Sequence, residues 1–440
     1  MTGRGSQRKG TAFGHPLRGL LVSQFFGAFN DNAWKIIVIG LTPVMAAPVA
    51  KGSDLEAVAL TQTNLVFLVL VIPLMVFSLP AGLLCDRFSK RTVIVWMKVL
   101  ELALMGAATA ALLIAPGNLL LPLGILALMG LQSAFFGPAK YGILPEILPH
   151  SRLSAGNGLL EGWTFAAIIG GTAVAGPLLG WTRGLEAGGD LLWLTPLTLT
   201  LLALIGLVAT RGIPRVPAAR AEGGLVTTVA TAWQAIRADR VLWLSVRGSC
   251  FYWSVASFVG ALILVYGRLE LDLEYPAILL ALFGLGVGAG GLLAGKLSAK
   301  KVEYGLIPLG AVGLALFILV LGLLPPTLVA TLVLLLLLGI SSGFIVVPLN
   351  ALLQWRSPDD RRGAVIALSR LLVYGGMIVG TLVGTAMAAS LDLPTRGTLV
   401  GCAVITAAGT LWALRVLPDA FLRLAAVFLT LTFYRLRVIG

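Results

Sequence analysis

Charge, histidine and cysteine are all scarce in this chain of 440 residues. Asp, Glu, Lys and Arg make up 12% of it, where a soluble globular protein carries about 25%. Apolar residues make up 58% and the mean hydropathy is +0.97. A soluble fold is excluded, because too little polar surface exists to cover so large an apolar mass. The two histidines, His15 and His150, both fall outside the apolar runs, which leaves metal and triad chemistry without support. The three cysteines, Cys85, Cys250 and Cys402, lie far apart in or beside those runs, so neither a disulfide framework nor a CxxC site is indicated. On a soluble chain the excess of 32 Lys and Arg over 19 Asp and Glu would point to nucleic acid. Here long uncharged stretches give it another meaning, and no nucleic-acid partner is expected.

What is present is a series of apolar runs. A helix needs about 20 mostly apolar residues to cross a bilayer. Twelve runs reach that length, near 18–44, 60–84, 92–115, 118–142, 154–181, 190–210, 241–266, 275–296, 305–324, 327–350, 363–390 and 396–417. The longest gap, 211–240, divides them six and six. The expected fold is an all-α membrane protein of 12 transmembrane helices in two six-helix bundles, with both termini cytoplasmic. Its parts are a basic N-terminal tail (1–17), an N-terminal bundle (18–210), a cytoplasmic linker (211–240), a C-terminal bundle (241–417) and a cytoplasmic interfacial tail (418–440). In the linker, Leu225, Val229, Trp233 and Ile236 lie on one side of an interfacial helix.

Basic residues set this orientation. With the N-terminus inside, 25 Lys and Arg fall on the cytoplasmic side and four, Lys51, Arg183, Arg268 and Arg396, on the outer side. Acids divide eight and eight, as expected of a rule that concerns Lys and Arg alone. The basic face also attracts anionic lipid heads. The N-terminal basic head, apolar run and Ala46-Ala47-Pro48-Val49-Ala50 have the form of a cleaved secretory signal, but the run is too long and holds Asp31 and Lys35 at its centre.

The two halves echo each other. Gly82-Leu-Leu-Cys-Asp-Arg-Phe-Ser-Lys-Arg91 follows span 2, and Gly291-Leu-Leu-Ala-Gly-Lys-Leu-Ser-Ala-Lys300 follows span 8, an offset of 209. Pro138 and Pro348 close spans 4 and 10. Parallel six-helix repeats are the architecture of many secondary transporters. The string Gly82-x-x-x-Asp86-Arg87-x-x-Lys90-Arg91 resembles the loop signature of the major facilitator superfamily. Asp86 can face the positive N-terminal end of a neighbouring helix while Arg87 and Arg91 tie cytoplasmic ends together, contacts made only with the inner gate closed. A solvated basic loop accounts for Lys90 and Arg91 but not for a lone acid between glycine and arginine.

Two further strings are narrower. Gln24-Phe-Phe-Gly-Ala-Phe-Asn-Asp-Asn-Ala-Trp-Lys35 and Phe135-Phe-Gly-Pro-Ala-Lys-Tyr-Gly-Ile-Leu-Pro-Glu146 resemble the bacterial lysophospholipid transporter family of the LplT type. That resemblance implies inward movement of lysophospholipids, chiefly lysophosphatidylethanolamine, across the bacterial inner membrane for reacylation. The string from Leu417-Pro418-Asp419 to Gly440 is similar to the junction of fused family members that continue into an acyltransferase. An acyltransferase His-x4-Asp is lacking, since the residues five after His15 and His150 are Leu20 and Ala155. The expectation is a transporter and not an enzyme, with an acyltransferase in cis or in trans as partner.

Six ionisable residues fall within spans: Asp31, Lys35, Glu101, Glu161, Arg247 and Arg370. Each costs several kcal/mol in hydrocarbon unless paired or hydrated, and the six sum to zero charge. Asp31 and Lys35 are four apart on one helical face, flanked by Asn30 and Asn32. They form either a head-group or coupling-ion site or a self-neutralised structural pair. Glu161 and Arg370 are related by the same offset of 209, and Tyr374 sits one turn beyond Arg370. Arg247, near the start of span 7, pairs with an acid of the other half or snorkels to the inner surface. Glu101 has Lys98 three residues before it and reads as locally paired. Lys140, in the span 4 string, completes the candidate binding set.

Polar residues concentrate in the first half, as suits an amphipath with its zwitterionic head on that half and its acyl chain on the other. Gly286-x-Gly288-x-x-Gly291 matches a dinucleotide fingerprint, but no strand precedes it. With Gly376, Gly380 and Gly384 it reads as close helix packing. No resident cofactor is expected; Na+ and the proton are the candidate coupling ions. The competing readings are a drug/proton antiporter, a membrane-embedded acyltransferase and a scaffold for an acyltransferase.

Overall fold

The computed structural model describes residues 16–46, 66, 68–184, 191–219, 222–273, 277–298, 302–390 and 394–416. Most of the N-terminal tail, the tail 418–440, and Ala47 to Ala50 of the signal-like string lie outside them. The described residues contain no strand. Their helices are α1 (Arg18–Ala46), α2 (Leu68–Val76), α3 (Ser78–Arg87), α4 (Lys90–Ile114), α5 (Leu120–Ile147), α6 (Leu153–Gly184) and α7 (Leu194–Ala209). After these come α8 (Leu225–Ala238), α9 (Arg240–Leu269), α10 (Ala277–Leu297), α11 (Leu306–Leu323), α12 (Leu328–Arg356), α13 (Arg362–Ser390) and α14 (Thr395–Val416).

Ten of these helical stretches are long and apolar enough to cross a membrane. Helices α2 and α3 make up to an eleventh, bent by 46°. The bend has a local cause. Pro80 has no N–H to give the carbonyl of Val76 and its ring crowds that carbonyl, so the helical ladder breaks there. At 29 residues α1 is also long enough to span, but Asn30, Asp31, Asn32 and Lys35 dilute its hydropathy and keep it out of that set. The exterior is apolar: Trp96, Ile114, Leu120, Leu201, Val226 and Val329 all stand exposed. This is a multi-pass membrane protein.

Packing divides the chain into two units. One contains α1–α5, α6 from Gly170, α7, and the short segment Asp359–Ala364 that opens α13. Its core is built by α1, α4, α5 and α7 around Trp34, Ile37, Met105, Leu126 and Leu199. The other contains α6 up to Ile169, α8–α12, α13 from Val365, and α14. There α10 packs along α12 through facing glycines. A Cβ on Gly290 would run into the backbone of Ile340, and one on Gly343 into Gly290 and Gly291. Along the α9–α13 contact, Gly376 and Gly380 lie against the carbonyls of Cys250 and Ser254. The glycine string 286–291 is thus a packing surface on a helix.

Asp239 fixes the start of α9. Its carboxylate accepts from the Leu242 N–H at 2.9 Å, capping the helix, and from Arg356 Nε at 2.8 Å.

Candidate functional site

In the first unit the polar stretch of α1 divides its side chains between different neighbours. Asn30 is fully buried; its amide nitrogen donates to Glu101 Oε1 of α4 at 3.0 Å and to the Leu199 carbonyl of α7 at 3.1 Å. Asp31 turns to α5, where Ser133 Oγ donates to its Oδ2 at 2.7 Å. Its Oδ1 is buried and accepts no hydrogen bond. Lys35 donates to Asn32 Oδ1 at 3.0 Å, and Asn32 in turn donates to the Ala28 carbonyl at 2.8 Å. Asp31 and Lys35 make no direct bond to each other: each hydrogen-bonds a nearer partner. Lys140 stands over the rings of Tyr141 and Phe136, at 4.9 and 5.9 Å from their centroids.

Lys98, one of the 25 basic residues that the charge pattern assigns to the cytoplasmic side, is buried in α4. Its ammonium pairs with Glu101 Oε2 at 2.6 Å, both side chains 1% exposed. The local pairing expected of Glu101 is present, and Lys98 joins the intramembrane charges, which then no longer sum to zero.

In the second unit Glu161, Asn350 and Arg370 come together. Asn350 is the bridge: its amide nitrogen donates to Glu161 Oε1 at 3.2 Å, and its carbonyl accepts from Arg370 at 3.4 Å. One turn away, Asn157 and Gln354 exchange two hydrogen bonds of 2.8 Å. Tyr374 follows Arg370 by one turn of α13 and is partly buried. Arg247 has a different setting, with its guanidinium over the indole rings of Trp412 at 4.9 Å and Trp243 at 5.7 Å. It opens onto a cavity of about 270 Å³ between α9, α11, α12 and α14, walled by Phe251, Tyr252, Leu314, Ile345, Leu349 and Trp412. A single cation among apolar walls suits an amphipathic anion.

The loop between α3 and α4 holds the remaining candidates. Asp86 is fully buried and accepts from the N–H groups of Gly363 and Ala364, at 2.6 and 2.7 Å, in the first turn of α13. The positive end of a helix favours an anion at this place. Gly363 comes so close to the Gly82 carbonyl and to Asp86 that no side chain fits on it. Lys90 pairs with Glu146 of α5 at 2.5 Å, and Arg362 approaches the same oxygen at 3.9 Å. Arg91 Nε and Ser89 Oγ donate to the carbonyls of Ile213 and Val216 at 2.8 and 2.7 Å, and Arg87 donates to that of Gly223. The segment that leaves the first unit is thus clamped along the loop.

The sequence pattern of the Major Facilitator Superfamily matches residues 20–381. The chain belongs to that superfamily. The lysophospholipid transporter LplT of Photorhabdus laumondii is 31% identical over 347 residues, 77% of this chain and 79% of that protein. That of Cronobacter sakazakii is 31% identical over 402 residues, 88% and 92% of the two chains. Within the superfamily the chain therefore belongs to the family of these proteins. Its fold is shared by FucP, a superfamily transporter in the outward conformation, with a TM-score of 0.67 at 16% identity over 90% of this chain and 97% of that one. It is also shared by the human organic anion transporter MFSD10, with a TM-score of 0.67 at 13% identity over 90% and 99%.

Some residues of these candidate sites are not marked by the sequence. Ser133, Trp243 and Trp412 carry no motif of their own, and Glu146, which ends the Phe135–Glu146 string, shows there no sign of its partner Lys90. For Ser133 a signal existed, since it stands with Gln132 in an otherwise apolar run. For the two tryptophans the only cue was the sequence proximity of Trp243 to Arg247.

Proposed function

We propose that this chain is a flippase-type lysophospholipid transporter of the bacterial inner membrane, moving lysophosphatidylethanolamine and related lipids toward the cytoplasmic leaflet by alternating access. The observation that carries the reading is its likeness, over most of both chains, to transporters named for that substrate. The polar chemistry agrees with it. Asp31 offers a buried carboxylate oxygen without a partner, as an ammonium head requires. Lys35 and Lys140 supply cations for a phosphate, with Asn30 and Asn32 fixing the helix that carries Asp31 and Lys35. In the second unit Arg247 presents a cation at the mouth of an apolar cavity, while Glu161, Arg370 and Tyr374 form a polar set at which an ion could couple. Gly82, Asp86, Arg87, Lys90 and Arg91 form the inner gate, whose closed form is stabilised by the anion at the first turn of α13. The delivered lipid is the substrate of an acyltransferase, joined in cis or in trans through residues 418–440.

Flipping of labelled lysophosphatidylethanolamine in proteoliposomes, with and without a proton or Na+ gradient, tests this reading. Asp31→Asn is expected to slow flipping about tenfold or more, the worth of one charge-assisted contact. Unchanged flipping by the variant would remove Asp31 from the site.

A further inference from the structure

Glu101 and Lys98 have no part in the site assigned above, yet the fold makes special room for them. Lys98 Nζ occupies space left open by two glycines. A Cβ on Gly27 of α1 would overlap it, and one on Gly206 of α7 would stand 3.9 Å away. Phe136 of α5 turns its ring to the same ammonium, 4.9 Å from the centroid. Four helices thus converge on one buried ion pair. Such a pair returns little more in attraction than it costs in lost hydration, so stability is a weak reason for it.

What the pair does fix is a direction. Glu101 Oε2 is held by Lys98, which leaves Oε1 to accept from Asn30. The second N–H of Asn30 is spent on the Leu199 carbonyl. Successive side chains on a helix are about 100° apart. With Asn30 tied to α4 and α7, Asp31 is turned to α5, where Ser133 meets it. We propose that Glu101 is a positioning residue for Asp31, acting through Asn30. Its effect on transport rests on the reading of Asp31 given above; its effect on geometry does not.

Two double variants separate this role from a purely structural one. Lys98→Met with Glu101→Gln removes both charges but keeps an acceptor for Asn30. Lys98→Met with Glu101→Leu removes the acceptor as well. The geometric readout is oxidative cross-linking of an Asp31→Cys/Ser133→Cys pair, in full-length protein whose Cys85, Cys250 and Cys402 are changed to Ala. Cross-linking is expected to stay close to the parent in the Gln double and to fall up to about tenfold in the Leu double, the loss of one hydrogen bond. In proteins retaining Asp31, the KM for lysophosphatidylethanolamine is expected to rise about tenfold in the Leu double alone. Equal cross-linking in the two doubles would overturn the proposal. Lost cross-linking with an unmoved KM would uphold the positioning and contradict the head-group role of Asp31. Should the Leu double fail to fold, Asn30→Ala keeps the ion pair intact and is expected to lose the same cross-link; retention of the cross-link would overturn the proposal.

Discussion

Asn350 serves its position because an amide carries a donor and an acceptor on one planar group. Its nitrogen meets Glu161 and its oxygen meets Arg370, so a single neutral side chain touches an anion and a cation at once. Leucine has neither function. Asn350→Leu is expected to lower unfolding stability by about 1–3 kcal/mol through the loss of its two hydrogen bonds, read as a drop in the thermal midpoint of purified protein; an unchanged midpoint would contradict the bridge. Asp239 makes a second case, outside the spans. Burial pushes its carboxyl up, but the hydrogen bond from Arg356 and the N–H of Leu242 outweigh this and hold it below the usual 3.8. A depressed acid stabilises the fold above its unfolded pKa and ceases to do so as pH falls through the folded one. Asp239→Ala is therefore expected to cost about 1 kcal/mol at neutral pH, and its deficit against the parent is expected to shrink below about pH 3.9. Residues of this kind mark how far sequence could be read. Buried acids and arginines announce themselves in apolar runs, but their partners do not. Lys98 looked like a loop cation because it follows the basic run of Lys90 and Arg91, although it is the ninth residue of α4, and Asp31 and Lys35 shared a face without sharing a bond.

Helices are set by spacing, and the contacts between them by what their surfaces lack. Small residues repeated every four positions form a flat stripe on which another backbone can lie. The stripe of Gly376 and Gly380 receives the carbonyls of Cys250 and Ser254, and that of Gly286 and Gly290 receives α12. Gly380→Val is expected to force α9 and α13 apart and to cost about 1–3 kcal/mol or more. Gly180→Ala on α6, with nothing within 4 Å of the added carbon, serves as the neutral control. Equal thermal midpoints for the two variants would refute the packing role. These stripes and the helix ranges were legible in the sequence, since both follow from local composition. The bend between α2 and α3 was legible in principle from Pro80, yet the run looked continuous because hydropathy does not register a missing N–H. The clamp of Ser89, Arg87 and Arg91 on the carbonyls of residues 213–223 could not be read, because backbone acceptors carry no sequence signal.

At the scale of the whole molecule, the scarcity of charge and the uneven spacing of what charge there is determine the class. A chain this apolar belongs in a bilayer, and its two echoing halves belong to a superfamily of transporters. Large apolar side chains stand exposed on the helices, while buried polar residues gather on α1 and α4 in one unit and on α6, α12 and α14 in the other. Substrate was legible only through resemblance, because an amphipath asks for a few polar contacts and a greasy wall, and many ligands would accept the same offer. The central claim is that the substrate is a lysophospholipid. It is tested most directly by following two labelled lipids in proteoliposomes, lysophosphatidylethanolamine and its diacyl counterpart, each placed in one leaflet only. The account predicts that the lysolipid crosses faster than in protein-free vesicles while the diacyl lipid does not. Lysolipid crossing at the protein-free rate, or equal acceleration of both lipids, would contradict it.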